Sequence, residues 1–396
     1  LLNPLKLDYE SVDAALAWDM NVPLPERYAF LVFALHTSGE EAFRTFLTEC
    51  KLSICSVFGQ AHNRYITCYK WLLQKDEMVK IIIMLDSSCP EFEKLMFLMR
   101  EKPCVILSRD PIDRLKSFIN IRHLNDGWHN KIFHIDFNQR NFDELNNRIV
   151  YVHSEGYFRP QLKLKEPEID NNIKALSNMN HSMLDYILKL SPVTECFEDS
   201  KINYIDMNEI IGDKIYLTLQ KLEKIGNFTI DNAQISGKQL YSNVTILLPV
   251  CIHINEMEFY ISNYHSTKIL PSQKDTIDFT SEFDLAKDKV FDSNLCIFIK
   301  KQDFAKFKNN ENYYEIKNYI SNFLQSLKNR ILKENEQMCN TEQVLRVFKN
   351  NKETRLKFKQ ILDKELAHIK THRPDIVASW SYYNEFEKMC EELDKH

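Results

Sequence analysis

The sequence predicts an α/β protein built on a three-layer, doubly wound parallel sheet and continued by a mixed, mainly helical C-terminal extension. Three observations carry this expectation. Near-continuous apolar runs at 28–35, 79–85 and 104–108 have the length and all-round hydrophobicity of strands covered on both faces. Segments of helical spacing separate them, and strands alternating with helices imply parallel crossovers. Two of the runs also end in a polar turn that opens a helix, at the carboxyl ends of strands where open α/β sheets bind ligands.

Composition narrows the function classes. The 396 residues allow two or three domains, and 44% hydrophobic with 27% charged residues describe an ordinary globular chain. With 51 basic and 56 acidic side chains the net charge is −5, which offers no global attraction to nucleic acid, so any anion site must be local. Ten cysteines are scattered through apolar runs, the pattern of reduced, buried thiols in a cytoplasmic protein. Cys50, Cys55, His62 and Cys68 fit no zinc spacing, and no metal is expected. No apolar run approaches the about 20 residues needed to cross a bilayer, and no signal-like start is present, although the chain begins at Leu1 and a removed leader is compatible with that.

Residues 1–24 read as an N-terminal arm, 25–230 as the α/β domain and 231–396 as an accessory region of hairpin strands followed by helices. The strand at 28–35 runs into the turn His36-Thr37-Ser38-Gly39, and 40–50 has helical spacing with Ala42, Phe43, Phe46 and Leu47 on one face. Strand, glycine-bearing turn and helix are the layout of a phosphate loop. Residues 52–80 are mixed, 79–85 is a second buried strand and 91–100 an amphipathic helix. After the strand at 104–108, Asp110 suits an N-cap and Pro111 a first helical turn. This helix is expected to continue through Phe118, Ile121 and Arg122, and a loop with Gly127, Trp128 and His129 to cover a pocket. Further on come a strand at 148–153, a substrate-side loop or edge strand at 157–175 and a helix at 176–190. A strand from Ile202, an acidic turn and a leucine-rich helix at 216–226 close the domain.

In the accessory region, 244–254, 258–264 and 294–300 read as strands at hairpin-like intervals. Ile316, Tyr319, Ile320, Phe323, Leu324 and Leu327 form one helical stripe. A second helical run, 342–366, is strongly basic across 346–359: either solvated surface or a peripheral contact with a membrane or protein.

Arg109 ends the strand at 104–108 and Ser117 follows eight residues later, with a helix start between them that favours an anion. This strand-Arg-Asp-Pro-x-x-Arg-x-x-Ser segment resembles the one with which sulfotransferases, a P-loop-like family, grip the 3′-phosphate of their donor, 3′-phosphoadenylyl sulfate. The resemblance implies phosphate-binding roles for Arg109 and Ser117. Thr37-Ser38-Gly39-Glu40-Glu41 is similar to the family's Lys/Arg-Ser-Gly-Thr-Thr loop for the 5′-phosphosulfate, which implies the same role for Thr37, Ser38 and Gly39. Ser38 and Gly39 match, whereas Thr37 stands for the basic residue and Glu40 and Glu41 for the threonines. Ionised, each glutamate would repel a phosphate by about 1 kcal/mol. The strand and helix at 202–226 resemble the family's late segment, in the right chain order, and 231–396 has no counterpart. The whole is also similar to uncharacterised proteins encoded near bacterial surface-glycan genes.

Sulfuryl transfer needs positioned anion binders, a general base for the acceptor hydroxyl and cationic stabilisation of the bridging oxygen. By position His36 is favoured as the base, then His129, ahead of His62, His123 and His153, with Glu40 or Glu41 as a carboxylate alternative. The resemblance thus implies a transferase that uses 3′-phosphoadenylyl sulfate on a hydroxyl of a carbohydrate or glycoconjugate. Two other classes stay open: a degenerate, non-catalytic glycan- or protein-binding module, and a nucleotide-sugar-dependent glycosyltransferase. The plainest reading of the same residues is a turn ion pair between Arg109 and Asp110 and a helix N-terminus stabilised by Glu40 and Glu41.

Overall fold

A computed structural model describes residues 7–125, 132–139, 141–152, 163–164, 168, 187–230, 245–263, 270–291 and 295–394. The chain divides into two compact units, the first from residues 1–118, 176–238 and 340–396 and the second from 119–175 and 239–339.

The first unit is built on a five-stranded sheet of β1 (Leu31–Ala34), β2 (Ser53–Val57), β3 (Lys80–Leu85), β4 (Cys104–Ser108) and β5 (Ile202–Asp206). Its order is β2-β3-β1-β4-β5, and every neighbouring pair is parallel. The three apolar runs read from sequence are the three central strands: β1 is buried throughout, between β3 and β4. β2 escapes notice because it is an edge strand that buries only Cys55 and Val57 fully, so its hydrophobicity is diluted. From β1 the chain crosses to one side of the sheet and from β3 it crosses back to the other. The carboxyl end of β1 therefore lies at a reversal of strand order, the position at which open sheets leave a crevice. Helix α1 (Glu40–Glu49) follows β1 and α2 (Pro111–Ile119) follows β4.

The C-terminal segment belongs to this unit and not to a separate accessory body. Phe348, Phe358 and Phe386 form an aromatic cluster with ring centroids 4.7–5.4 Å apart. Glu365, buried, accepts hydrogen bonds from the Leu190 and Ser191 N–H groups at 2.7 Å. The run read as one basic helix at 342–366 is two, Thr341–Asn350 and Lys352–Glu365, because Asn351 leaves helical geometry and caps the second through the Thr354 N–H. Nor is it a uniform basic face. Arg355 is 3% exposed and ion-paired with Asp394 at 2.7 Å, and Lys359 pairs with Asp363 and Glu387 at 2.8 Å.

The second unit carries a mixed sheet in the order Thr276–Asp278, Leu295–Lys300, Met257–Asn263, Val250–Ile254, Phe133–Asp136. Its last pair is parallel and the others antiparallel. The expected stripe from Ile316 to Leu327 lies on the helix Tyr313–Gln337 and is buried in this unit's core. The helix expected to pass Arg122 stops at Ile119, and Arg122–Leu124 is instead a strand antiparallel to Ile149–Val152. The apolar run near 150 accordingly contributes to this unit and not to the parallel sheet, although the 25–230 boundary drawn from sequence enclosed it. Among the described residues no helix is long and apolar enough to cross a membrane.

Candidate functional site

Two polar turns lie side by side where the adjacent strands β1 and β4 end. In the first, Thr37 and Gly39 adopt left-handed backbone angles, φ +63° and +98°. Gly39 is needed twice over: a side chain would meet that backbone strain, and a Cβ would fall 2.1 Å from the Met207 Sδ. Ser38, buried, donates its hydroxyl to the Leu35 carbonyl at 2.7 Å, which closes the turn. The second turn docks on the first. Arg109 donates to the Thr37 carbonyl at 2.9 Å, and the Thr37 hydroxyl donates to the Arg114 carbonyl at 3.0 Å.

Within the second turn Arg109 pairs with Asp113, its Nε at 2.7 Å, and not with Asp110. Lys116 adds a second cation to Asp113 at 2.5 Å. Burial pushes the Asp113 carboxyl upward, but Arg109 and Lys116 together hold it below the usual aspartate range. Asp110 is a cap, as its place before Pro111 implies, but it caps two helices. One oxygen accepts the N–H of Ile112 at 2.9 Å, and the other accepts those of Tyr382 and Tyr383 at 3.0 and 3.1 Å, at the start of Ser381–Leu393. Arg114 is 3% exposed. Its Nε and one terminal nitrogen have no hydrogen-bond partner among the described residues. Burial, with Arg109 nearby, lowers its guanidinium to about 9, still cationic at neutral pH.

On the β3 side, His36 lies 3.7 Å from Asp86, which buried Arg64 also grips at 3.2 Å. Burial pushes Asp86 up, yet His36 and Arg64 outweigh it and hold the carboxyl below its ordinary value. Glu40 heads α1 with its side chain 14% exposed, near Arg44 at 3.5 Å and the Ser56 hydroxyl at 3.4 Å. Burial, reinforced by Glu41 and opposed by Arg44 and Ser56, pushes its carboxyl up to about 7. That value has a measurable consequence. The folded state holds a proton that the unfolded chain releases, so the associated stability is full below pH 4.5 and falls as pH rises to about 7, by at most about 3 kcal/mol. Glu40→Gln cannot titrate and should flatten that part of the pH–stability curve; parallel curves for the two proteins would refute the assignment.

The fold thus gathers His36, Thr37, Ser38, Gly39, Glu40 and Arg109 around the ends of β1 and β4. Ser117 is half-buried on α2 and hydrogen-bonds to none of them. His129 and His153 lie outside the described residues. His123 is on the strand Arg122–Leu124 of the second unit, and His62 packs edge-on to Trp18. Two functional candidates were not assigned from sequence. Arg114 is the second arginine of the quoted motif, which had no role, and His368-x-x-x-His372 is a ligand spacing on a helix.

The first unit is thus a parallel α/β body in which Arg109 and Arg114 lie at the turns that follow its central strands. A family model described as a protein of unknown function (DUF2972) matches residues 204–393. No curated protein matches the chain.

Proposed function

We propose that the first unit is a sulfotransferase-like enzyme that moves a sulfuryl group from 3′-phosphoadenylyl sulfate to a hydroxyl of a carbohydrate or glycoconjugate. The observation that carries this reading is the buried cation Arg114, which has no counter-ion among the described residues and sits under the turn that Arg109 and Thr37 share. Burying a guanidinium in that state costs several kcal/mol, and a bound phosphate or sulfate is the natural compensation. Donor binding would fall to Arg109, Arg114, Ser117 and the Thr37–Gly39 turn; the donor supplies an activated sulfuryl group on its 5′-phosphate. Glu40 or His36 then takes the proton of the acceptor hydroxyl as its oxygen bonds to sulfur. The bond from sulfur to the bridging phosphate oxygen breaks, and the electron pair leaves with adenosine 3′,5′-bisphosphate. A carboxyl that titrates near neutrality suits this step.

Two features favour the non-catalytic alternative: Asp113 already occupies Arg109, and the loop has no lysine or arginine of its own. Thermal stabilisation by adenosine 3′,5′-bisphosphate, measured against nucleoside diphosphates and nucleotide sugars, tests the reading. Preference for the nucleotide sugars would point to glycosyl transfer, and no response to any of them to a role without nucleotide. Arg109→Ala should weaken the bisphosphate by about 2 kcal/mol, roughly 30-fold, through loss of a charge-assisted contact. Glu40→Thr should bind it more tightly and, if Glu40 is the base, lose turnover. Calorimetry beside a sulfate-transfer assay separates enzyme from binder, because a binder gains affinity with no turnover to lose.

A further inference from the structure

Away from these loops, the first unit brings Asp199, His368 and His372 together, one ligand atom of each within 4.8 Å of the others. Asp199 opens the short turn Asp199–Lys201 that leads into β5, and the histidines lie one helical turn apart on α3 (Ala367–His372). The His368 Nε2 is 3.3 Å from one carboxylate oxygen and the His372 Nε2 is 3.3 Å from the other. The rings stack with centroids 4.0 Å apart and planes inclined by 17°.

The other nitrogen of each ring is engaged. The His368 Nδ1 meets the Tyr204 hydroxyl at 2.9 Å, and the His372 Nδ1 donates to the His368 carbonyl at 2.9 Å. His372 therefore carries a proton on Nδ1, which leaves its Nε2 able to offer a lone pair; the Tyr204 hydroxyl can accept an Nδ1–H from His368 in the same way, or donate to Nδ1 while the His368 Nε2–H bonds to Asp199. Hydrogen bonds of this kind orient histidines that bind metals. Spacing agrees: ligands about 2.1 Å from a tetrahedral ion lie about 3.4 Å from one another. One divalent ion satisfies all three groups.

We propose that Asp199, His368 and His372 form a site for a borderline divalent transition metal of the zinc class, with Tyr204 as the positioning residue behind His368. Imidazole nitrogens select such ions over magnesium and calcium. Three protein ligands leave a fourth position for water or a ligand. Because Asp199 precedes the edge strand β5 and the histidines belong to the C-terminal segment, the ion would tie that segment to the sheet. A second cluster, His134, Cys251 and His253, is less suited. There the two imidazoles already hydrogen-bond to each other at 2.7 Å, and the buried cysteine would have to lose its proton.

The test uses tag-free, chelator-treated full-length protein titrated with Zn²⁺, read by melting temperature and, with Co²⁺, by visible absorption. Expected are a saturable rise in melting temperature absent with Mg²⁺ or Ca²⁺, a loss of affinity of about 100-fold in Asp199→Asn and in His372→Ala, and one of about 10-fold in Tyr204→Phe. Asp199 is exposed, so its variant should fold with an unchanged far-UV spectrum. No response to Zn²⁺ or Co²⁺ overturns the proposal. So does a response that persists in the Asp199 and His372 variants, as metal held at His134, Cys251 and His253 would give.

Discussion

Arg114→Met should raise the melting temperature of the ligand-free protein and abolish its stabilisation by adenosine 3′,5′-bisphosphate. Arg114 lies on the buried side of α2, 3% exposed, with two of its nitrogens unpartnered among the described residues. Methionine fills the volume of the arginine stem without a charge to desolvate, and replacing an uncompensated buried charge with an apolar isostere stabilises by about 1–4 kcal/mol. For a unit of this size that is a rise of roughly 2–4 °C for each kcal/mol. The two readouts move in opposite directions only if the cation is kept for a ligand. Scanning calorimetry with and without the bisphosphate checks both. A destabilised Met variant that still responds to nucleotide would make Arg114 an internally satisfied structural residue and remove the main support for an anion site.

Asp110→Ala should do the reverse and cost stability outright, by about 2–4 kcal/mol. The carboxylate serves four backbone donors, Ile112 at 2.9 Å and Asp113 at 3.4 Å through one oxygen, Tyr382 at 3.0 Å and Tyr383 at 3.1 Å through the other. It is 8% exposed, so water cannot easily replace it. Asp110→Asn is the sharper probe. An amide has one oxygen, so whichever way it turns, its NH₂ faces a pair of N–H donors and those stay unpaired. Asn should therefore recover less than half of the loss seen with Ala, as measured by denaturant midpoint at constant slope. The second helix joins the effect through its neighbour: Trp380, just before Ser381–Leu393, donates its indole N–H to Asp206 at 2.8 Å. If Asp110→Asn left stability intact and lowered transfer activity instead, the residue would belong to the chemistry and not to the frame.

These two residues mark the division between local and tertiary information. The sequence alone determined the parallel strands at the centre of the sheet, the turns that follow β1 and β4, and the cap at Asp110. Each is written in adjacent letters: uninterrupted apolar runs for doubly covered strands, Gly39 where a turn needs a left-handed residue, Asp before Pro at a helix start. The antiparallel strands near 250–300 and the stripe on Tyr313–Gln337 were legible for the same reason, since both are periodic.

Only the tertiary structure decided which pieces share a core. The strands Arg122–Leu124 and Ile149–Val152 look in sequence like a continuation of the first domain, but pair with each other in the second unit. The final helices look like an appendage, yet supply Tyr382, Tyr383 and Trp380 to the ends of β4 and β5. The same holds for charge. Arg114 and Arg109 are both arginines of one motif, but Asp113 neutralises Arg109 while Arg114 is buried without a partner among the described residues. Glu40 titrates near 7 because of what packs around it, and Asp199 meets His368 and His372 from far along the chain. Desolvation and pairing depend on neighbours brought together by folding, and periodicity along the chain carries no record of them.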